Sequence, residues 1–352
     1  MSDSIVIVGA GIIGLNTALV LAERGHGRHV TVVAEYLPGD TAATYTSPWA
    51  GCNFSAISGT DANALRWDRL GYTQLMKTAS ADGERASVKR TPAIEYWEDH
   101  LDTKKIKAMS AYLEDFAILA PKELPEGIKI GISFTTVTVN APKYIEHLYR
   151  RLKSQYGVRF RRQKLSGISS AFASEDTRIA FNCTGLAAGT LAGVEDARCY
   201  PTRGQIVLAR APSVTKTTMR HGKEFVTYII PRPGSNGNVV LGGYLQKGVG
   251  DASTYSYEVQ SILERTKSLE AELAKEEPEV LAAFAGLRPS REGGARVEKE
   301  RVVVHGRERM LVHDYGAGGT GFQAGYGMAS DSVDLVADLL SGLADGRTRA
   351  KL

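Results

Sequence analysis

The chain has 352 residues, 43% of them apolar and 23% charged, with a formal net charge of +4 spread over both signs. The basic clusters Lys104-Lys105, Arg150-Arg151 and Arg161-Arg162 are short and stand near no nucleic-acid-binding motif, which argues against a nucleic-acid role. No apolar run reaches the roughly 18 residues needed to span a membrane. Three cysteines without a C-x-x-C (Cys52, Cys183 and Cys199) predict a reducing compartment, no disulfide framework and no metal site. The length predicts two domains or one large interwoven unit.

The chain enters a strand almost at once, which leaves no room for a signal peptide. Ile5 to Val8 is a short β-branched run of the kind buried on both faces of a sheet. Gly9, Gly11 and Gly14 then form G-x-G-x-x-G, and Leu15 to Glu23 continues as a helix. A second strand, His29 to Ala34, ends in Glu35, 21 residues beyond Gly14. Strand, glycine turn, helix, strand and terminal carboxylate together predict a dinucleotide site. The turn and helix N-terminus would take the pyrophosphate and Glu35 a ribose hydroxyl, which favours FAD or NAD over NADP.

After a turn at Pro38-Gly39, the segment Thr44 to Asn53 is rich in small hydroxyl residues and glycine, and can bring Thr46, Ser47 and backbone amides against phosphate or ring atoms. A helix is predicted from Ala62 to Met76, and residues 80–130 yield no assignment. Phe134 to Val139 reads as a strand, Pro142 to Leu152 as a helix, Val158 to Phe160 as a strand, and Thr177 to Gly185 as a strand running into a turn. Strands at 205–209, 225–230 and 238–241, with a hairpin turn at Ser235-Asn236-Gly237, predict an inserted antiparallel region. Helices are expected over Tyr255–Leu273, Glu277–Ala285 and Ser330–Leu343, the last following a second glycine-rich loop, Gly316 to Gln323.

The ordered series Val6 to Gly14, Ser47-Pro-Trp-Ala-Gly51, Asn182 to Leu186, Arg203-Gly-Gln205, Tyr228-Ile-Ile-Pro-Arg-Pro-Gly234, Leu241-Gly-Gly243, Gly286-Leu-Arg-Pro289 and His313-Asp-Tyr-Gly316 resembles the FAD-dependent D-amino-acid oxidase and D-aspartate oxidase family of fungal, peroxisomal type. The resemblance implies an α/β fold: a Rossmann-like FAD-binding domain built from discontinuous segments (1–55, 134–200, 285–352) plus a mixed-sheet α+β substrate domain (56–133, 201–284). It implies non-covalent FAD held by Gly9, Ala10, Gly11, Ile12, Ile13, Gly14, Glu35, Thr46, Ser47, Gly51, Asn53, Thr184, Gly185 and Arg288. The second loop, Gly316, Gly318, Gly319, Thr320, Gly321, Phe322 and Gln323, would stabilise negative charge on the reduced flavin.

Arg288 and Tyr228 resemble the family's catalytic clamp on the substrate α-carboxylate, with Tyr244, Ser55 and Gly319 as further substrate contacts. Arg220 resembles the arginine that faces an acidic side chain, so the expected substrate is a D-amino acid, D-aspartate first. A general oxidase of neutral D-amino acids is the alternative, because Met219 is one position away. A glycine- or sarcosine-type amine oxidase, or a flavin- or NAD-binding protein without oxidase activity, also stays open. The implied partners are the D-amino acid and dioxygen; homo-oligomerisation is left open. The terminal Ala350-Lys351-Leu352 is a conservative variant of the Ser-Lys-Leu address and predicts a peroxisome reached through its import receptor.

Overall fold

The computed structural model describes residues 4–344. They form two compact units, each assembled from separate stretches of chain. One comprises 1–47, 145–200 and 289–352, the other 48–144 and 201–288.

The first unit is organised on a six-stranded sheet. Ile5–Val8 lies at its centre and pairs in parallel with Val30–Ala34 on one side and Ile179–Asn182 on the other. Arg159–Arg162 extends the sheet beyond Val30–Ala34, and Arg307–Tyr315 runs parallel to Ile179–Asn182. Arg296–Val304 closes that edge as an antiparallel hairpin strand. The central strands are buried along their whole length and mostly apolar because helices and turns cover both faces. One face buries Val6, Val8, Val33, Ala180 and Leu311 against Ile168, Ala171 and Phe172 of a short helical turn. The helix Ile12–Glu23 follows the first strand and is buried along most of its length. This parallel arrangement, with a glycine turn after the first strand, is a Rossmann-like α/β unit.

The second unit is a nine-stranded mixed sheet. Its centre is the antiparallel ladder of Cys199–Arg210, Asn238–Gly242, Val226–Pro231 and Thr217–His221. Val88–Trp97 joins Thr217–His221 in parallel and pairs antiparallel with Ile130–Val139. The hairpin at Asn236-Gly237 turns with positive φ at both residues, 54° and 79°, the geometry that matches strand twist. Side chains alternate between faces. Val207, Ile229, Val239 and Leu241 bury one face against Ile262 of the helix Ser256–Leu269. Ile206, Ile230 and Val240 form the other, with Tyr228 packed against them.

Two elements differ from the sequence expectation. Glu279–Arg291 is a strand paired with Cys199–Arg210, where a helix is expected over 277–285. Neighbouring-strand hydrogen bonds override the helical propensity of Val280-Leu-Ala-Ala283. The final helix begins at Gly321, much earlier than Ser330, and runs to Asp334, with a second helix at Ala337–Ala344. The glycines of its first turns are packing glycines: a Cβ at Gly325 would stand 3.0 Å from both Asn16 Nδ2 and Ile13 Cδ1. The unassigned region 80–130 holds the end of a helix running Ala62–Ala86, then the long strand Val88–Trp97 and the helix Thr103–Ser110.

Candidate functional site

Within the first unit, the carboxyl ends of three parallel strands place three loops at one sheet edge. Gly9 takes a positive φ of 110° and its N–H donates to Val33 O at 2.9 Å. A Cβ there would fall 2.4 Å from Cys183 O, and one on Gly14 would fall 2.0 Å from Gly9 O. Both positions are closed to any side chain by the fold itself. Gly11 differs, because its Cβ would meet only Ser47 Oγ, at 3.1 Å. Ser47 Oγ also accepts the N–H of Ile12 at 2.9 Å, at a helix start whose first amides lack intrahelical partners. Ala10 is fixed by Tyr45, whose hydroxyl donates to its carbonyl at 2.7 Å. The open backbone at Gly11, a helix N-terminus and an adjacent hydroxyl fit a pyrophosphate.

The second strand end is held by Asn182, whose Oδ1 accepts the Thr184 hydroxyl at 2.7 Å, and Gly185 follows with φ 60°. The third leads through Gly316 (φ 84°) and Gly318 (φ 57°) into the turn Gly318–Thr320, where Gly319 is exposed. Thr320 precedes the helix that starts at Gly321, and Gln323 is buried in its first turn, after Phe322. A Cβ on Gly321 would stand 3.4 Å from Ile12 Cγ2, so the two glycine-rich loops open side by side. Glu35 is at the surface and its carboxylate is 3.0 Å from Lys164 Nζ; Thr46 is half-buried beside Ser47. Such a surface pair is worth little and leaves the carboxylate available to a ribose.

Within the second unit, Arg288 and Tyr228 come together. A Cβ on Gly204 would lie 2.1 Å from Arg288 Nη1 and 2.5 Å from Cζ, so the guanidinium rests on bare backbone. Nη1 donates to Tyr244 O at 3.1 Å, and the guanidinium is near enough to the Tyr228 phenol to draw its pKa down. Among the described residues no carboxylate pairs with Arg288. Burial pushes the Tyr228 phenol above its ordinary pKa against the pull of Arg288, so the hydroxyl stays protonated as a donor. Its ring lies against Gly242 and Gly243, where Cβ atoms would fall 2.1 Å from Cζ and 2.6 Å from Cε1. A fixed guanidinium without a carboxylate partner among the described residues, beside a phenol donor, has the chemistry to take up a carboxylate.

Gly51, Asn53 and Ser55 lie in this second unit, since the division falls after Ser47 and not after residue 55. A Cβ on Gly51 would meet Val240 Cγ1 at 3.2 Å, Ile230 Cδ1 at 3.4 Å and Tyr228 Cε2 at 3.5 Å, so the Trp49-Ala-Gly51 loop covers the Tyr228 face. Asn53 Nδ2 lies 3.7 Å from Met219 Sδ, and Ser55 is buried.

Arg220 requires a correction. Across the ladder Tyr228 pairs with Met219, and Arg220 pairs with Thr227. Directly opposed residues share a face, so Arg220 points to the side of the sheet opposite Tyr228. There its Nε meets Glu98 Oε1 at 2.8 Å, which already supplies its counter-charge. The residue on the Tyr228 face is Met219, and Glu95 is next to it in register, paired to His221 at 2.9 Å. The motif Met219-Arg220 was readable, but which of the two faces Tyr228 depends on a cross-strand register that the sequence does not state.

A glycine turn on a parallel sheet, joined in one chain to a mixed sheet carrying the Arg288–Tyr228 pair, is the arrangement of a flavoprotein oxidoreductase. A family model described as FAD dependent oxidoreductase matches residues 4–335. A D-amino-acid oxidase of Schizosaccharomyces pombe is 46% identical over 336 residues, 94% of this chain and 95% of the relative. A D-aspartate oxidase of Talaromyces thermophilus is 29% identical over 364 residues, covering 96% and 95%. Among solved structures, glycine oxidase from Bacillus cereus superposes with a TM-score of 0.71 at 19% identity, covering 95% of this chain and 97% of that one. The chain belongs to the FAD-dependent oxidoreductase family, and its cofactor is FAD.

Proposed function

We propose that the protein oxidises neutral D-amino acids through FAD, with dioxygen as electron acceptor and water hydrolysing the imino acid, yielding 2-oxo acid, ammonia and hydrogen peroxide. The observation that carries this reading is the clamp: Arg288, without a protein carboxylate among the described residues, set beside the Tyr228 hydroxyl. The guanidinium takes the α-carboxylate bidentately and stays charged when enclosed, and the phenol donates a further hydrogen bond. Anchored there, the substrate presents its Cα–H in one orientation, so positioning does most of the work and no general base is needed. FAD, when bound, supplies the two-electron acceptor and passes the electrons to dioxygen.

The neutral preference is supported by Met219 on the Tyr228 face, by the Glu95 carboxylate next to it, and by the printed name of the Schizosaccharomyces pombe relative. D-aspartate would meet no free cation where Arg220 is held by Glu98. The experiment is a spectrum of the purified protein under anaerobic conditions. D-alanine is expected to bleach the flavin bands and L-alanine to leave them. Bleaching by neither, or by both alike, overturns the assignment.

We also propose peroxisomal import through Ala350–Leu352, which lie outside the described residues. A fluorescent fusion placed at the N-terminus should be punctate, and should become diffuse when the last three residues are deleted.

A further inference from the structure

Tyr228 and Arg288 share one support, the corner Gly242-Gly243-Tyr244. The Tyr228 ring packs on its two glycines, and Arg288 donates to its last carbonyl. What holds the corner is Arg265, on the helix Ser256–Leu269. Its Nη2 donates to Gly243 O at 3.2 Å, and its Nη1 donates to the hydroxyl of Thr227, the residue before Tyr228, at 2.7 Å. Nε reaches Ser261 Oγ at 3.3 Å on the same helix. The guanidinium plane also lies over the rings of Phe225, 4.4 Å to the centroid, and Tyr244, 5.4 Å, which themselves meet edge to face. None of these partners is a carboxylate.

We infer that Arg265 is a positioning residue for the carboxylate clamp, fixing from the helix side of the sheet the corner on which Tyr228 and Arg288 both rest. The inference depends on the clamp reading above. Two features favour placement over simple packing. Arg265 and Arg288 donate to consecutive carbonyls, Gly243 O and Tyr244 O, so a shift of this corner moves both clamp members together. The planar fork also donates to Gly243 O and to the Thr227 and Ser261 hydroxyls while lying over two rings, a geometry that a lysine ammonium does not reproduce.

The test is benzoate binding to the FAD-loaded enzyme, followed by the change in the flavin spectrum. Benzoate carries the carboxylate but no oxidisable amine. Wild type, Arg265→Met, Arg265→Lys, Tyr228→Phe, the double variant Arg265→Met/Tyr228→Phe, and Arg288→Leu are compared. Arg265→Met should raise Kd at least about tenfold with FAD retained. Arg265→Lys should not restore wild-type binding, and the losses from Arg265→Met and Tyr228→Phe should fail to multiply, as expected of residues acting through one contact. Kd within twofold of wild type in Arg265→Met, full rescue by lysine, or independent losses would each overturn the inference. Should the Arg265 variants not fold, Thr227→Val removes a single acceptor; it should raise Kd severalfold, and an unchanged Kd counts against the proposal. Unaltered binding in Arg288→Leu would remove the clamp itself, and the inference with it. Loss in Arg288→Leu without loss in Arg265→Met removes only the role of Arg265.

Discussion

Arg288 lies flat on Gly204, close enough that one added carbon would sit 2.1 Å from its Nη1. Gly204→Ala is therefore a lever on the guanidinium that substitutes neither Arg288 nor Tyr228. The methyl must push the fork aside, and a displacement of that order costs roughly ten- to a hundredfold in catalytic efficiency. The loss should appear chiefly as a raised KM for D-alanine, with the flavin spectrum of the resting enzyme unchanged. An alanine variant with wild-type KM would mean that the guanidinium does not bind the substrate carboxylate.

Arg288→Leu goes further by removing the counter-charge. Breaking an enclosed ion pair costs about 3–5 kcal/mol, which corresponds to roughly two to three and a half decades in kcat/KM. FAD content is expected to stay near wild type. Retention of near-normal efficiency on any D-amino acid would contradict the clamp.

Arg220 and Met219 give opposite forecasts because they lie on opposite faces. Arg220→Leu should change the ratio of D-aspartate to D-alanine efficiency by less than about twofold, since its charge is already met by Glu98 and a surface pair contributes little. Met219→Arg should raise relative activity on D-aspartate. A wild type that prefers D-aspartate, or a large effect of Arg220→Leu, would return the acidic reading.

The glycine turn after the first strand was legible because its demands fall on the backbone. Gly9 and Gly14 are the only residue type the turn accepts, and a motif of that kind needs no tertiary information. Gly11→Val should accordingly yield a folded protein without FAD, as its Cβ meets only a serine hydroxyl; a variant that purifies fully yellow would dissociate this turn from cofactor binding. Register was not legible. The strand Val88–Trp97 hides its alternation behind a central Pro92 and a buried Glu95, whose burial makes sense only once His221 and the Ala56 amide stand across from it. Arg265 was silent for the same reason: in sequence it is one more charged residue on an amphipathic helix, and only the turned-back Gly243-Tyr244 corner gives it acceptors.

Asp314 carries a pH dependence. It is fully buried behind the glycine turn, and burial raises its carboxyl from 3.8 to about 7. Thr17 Oγ1 stands 3.1 Å from Asp314 Oδ2 and 3.0 Å from Ile13 O, yet has one proton to give. A protonated Asp314 resolves this by donating to Thr17, which then donates to Ile13. Between about pH 4 and 7 the folded chain thus holds a proton that the unfolded chain has released, so this group's contribution to stability falls as pH rises through that window and is level above it. Asp314→Asn should match wild type below about pH 4 and exceed it by roughly 2–4 kcal/mol at pH 8. Parallel melting curves for the two proteins across the range would show that the carboxyl titrates normally.

The strand Ile5–Val8 has one neighbour close behind it, Val30–Ala34, but its other neighbour is Ile179–Asn182, which in turn needs Arg307–Tyr315. On a ribosome adding about 5–20 residues per second, the second neighbour emerges roughly ten to thirty-five seconds after the first strand. Throughout that interval Ile-Val-Ile-Val and Val-Thr-Val-Val-Ala are β-branched edges without their eventual cover, the kind of segment that associates between chains. Nascent chains should therefore engage holding chaperones until residues near 315 are released, and yield on overexpression should depend on the pace of synthesis more than on the stability of the finished fold.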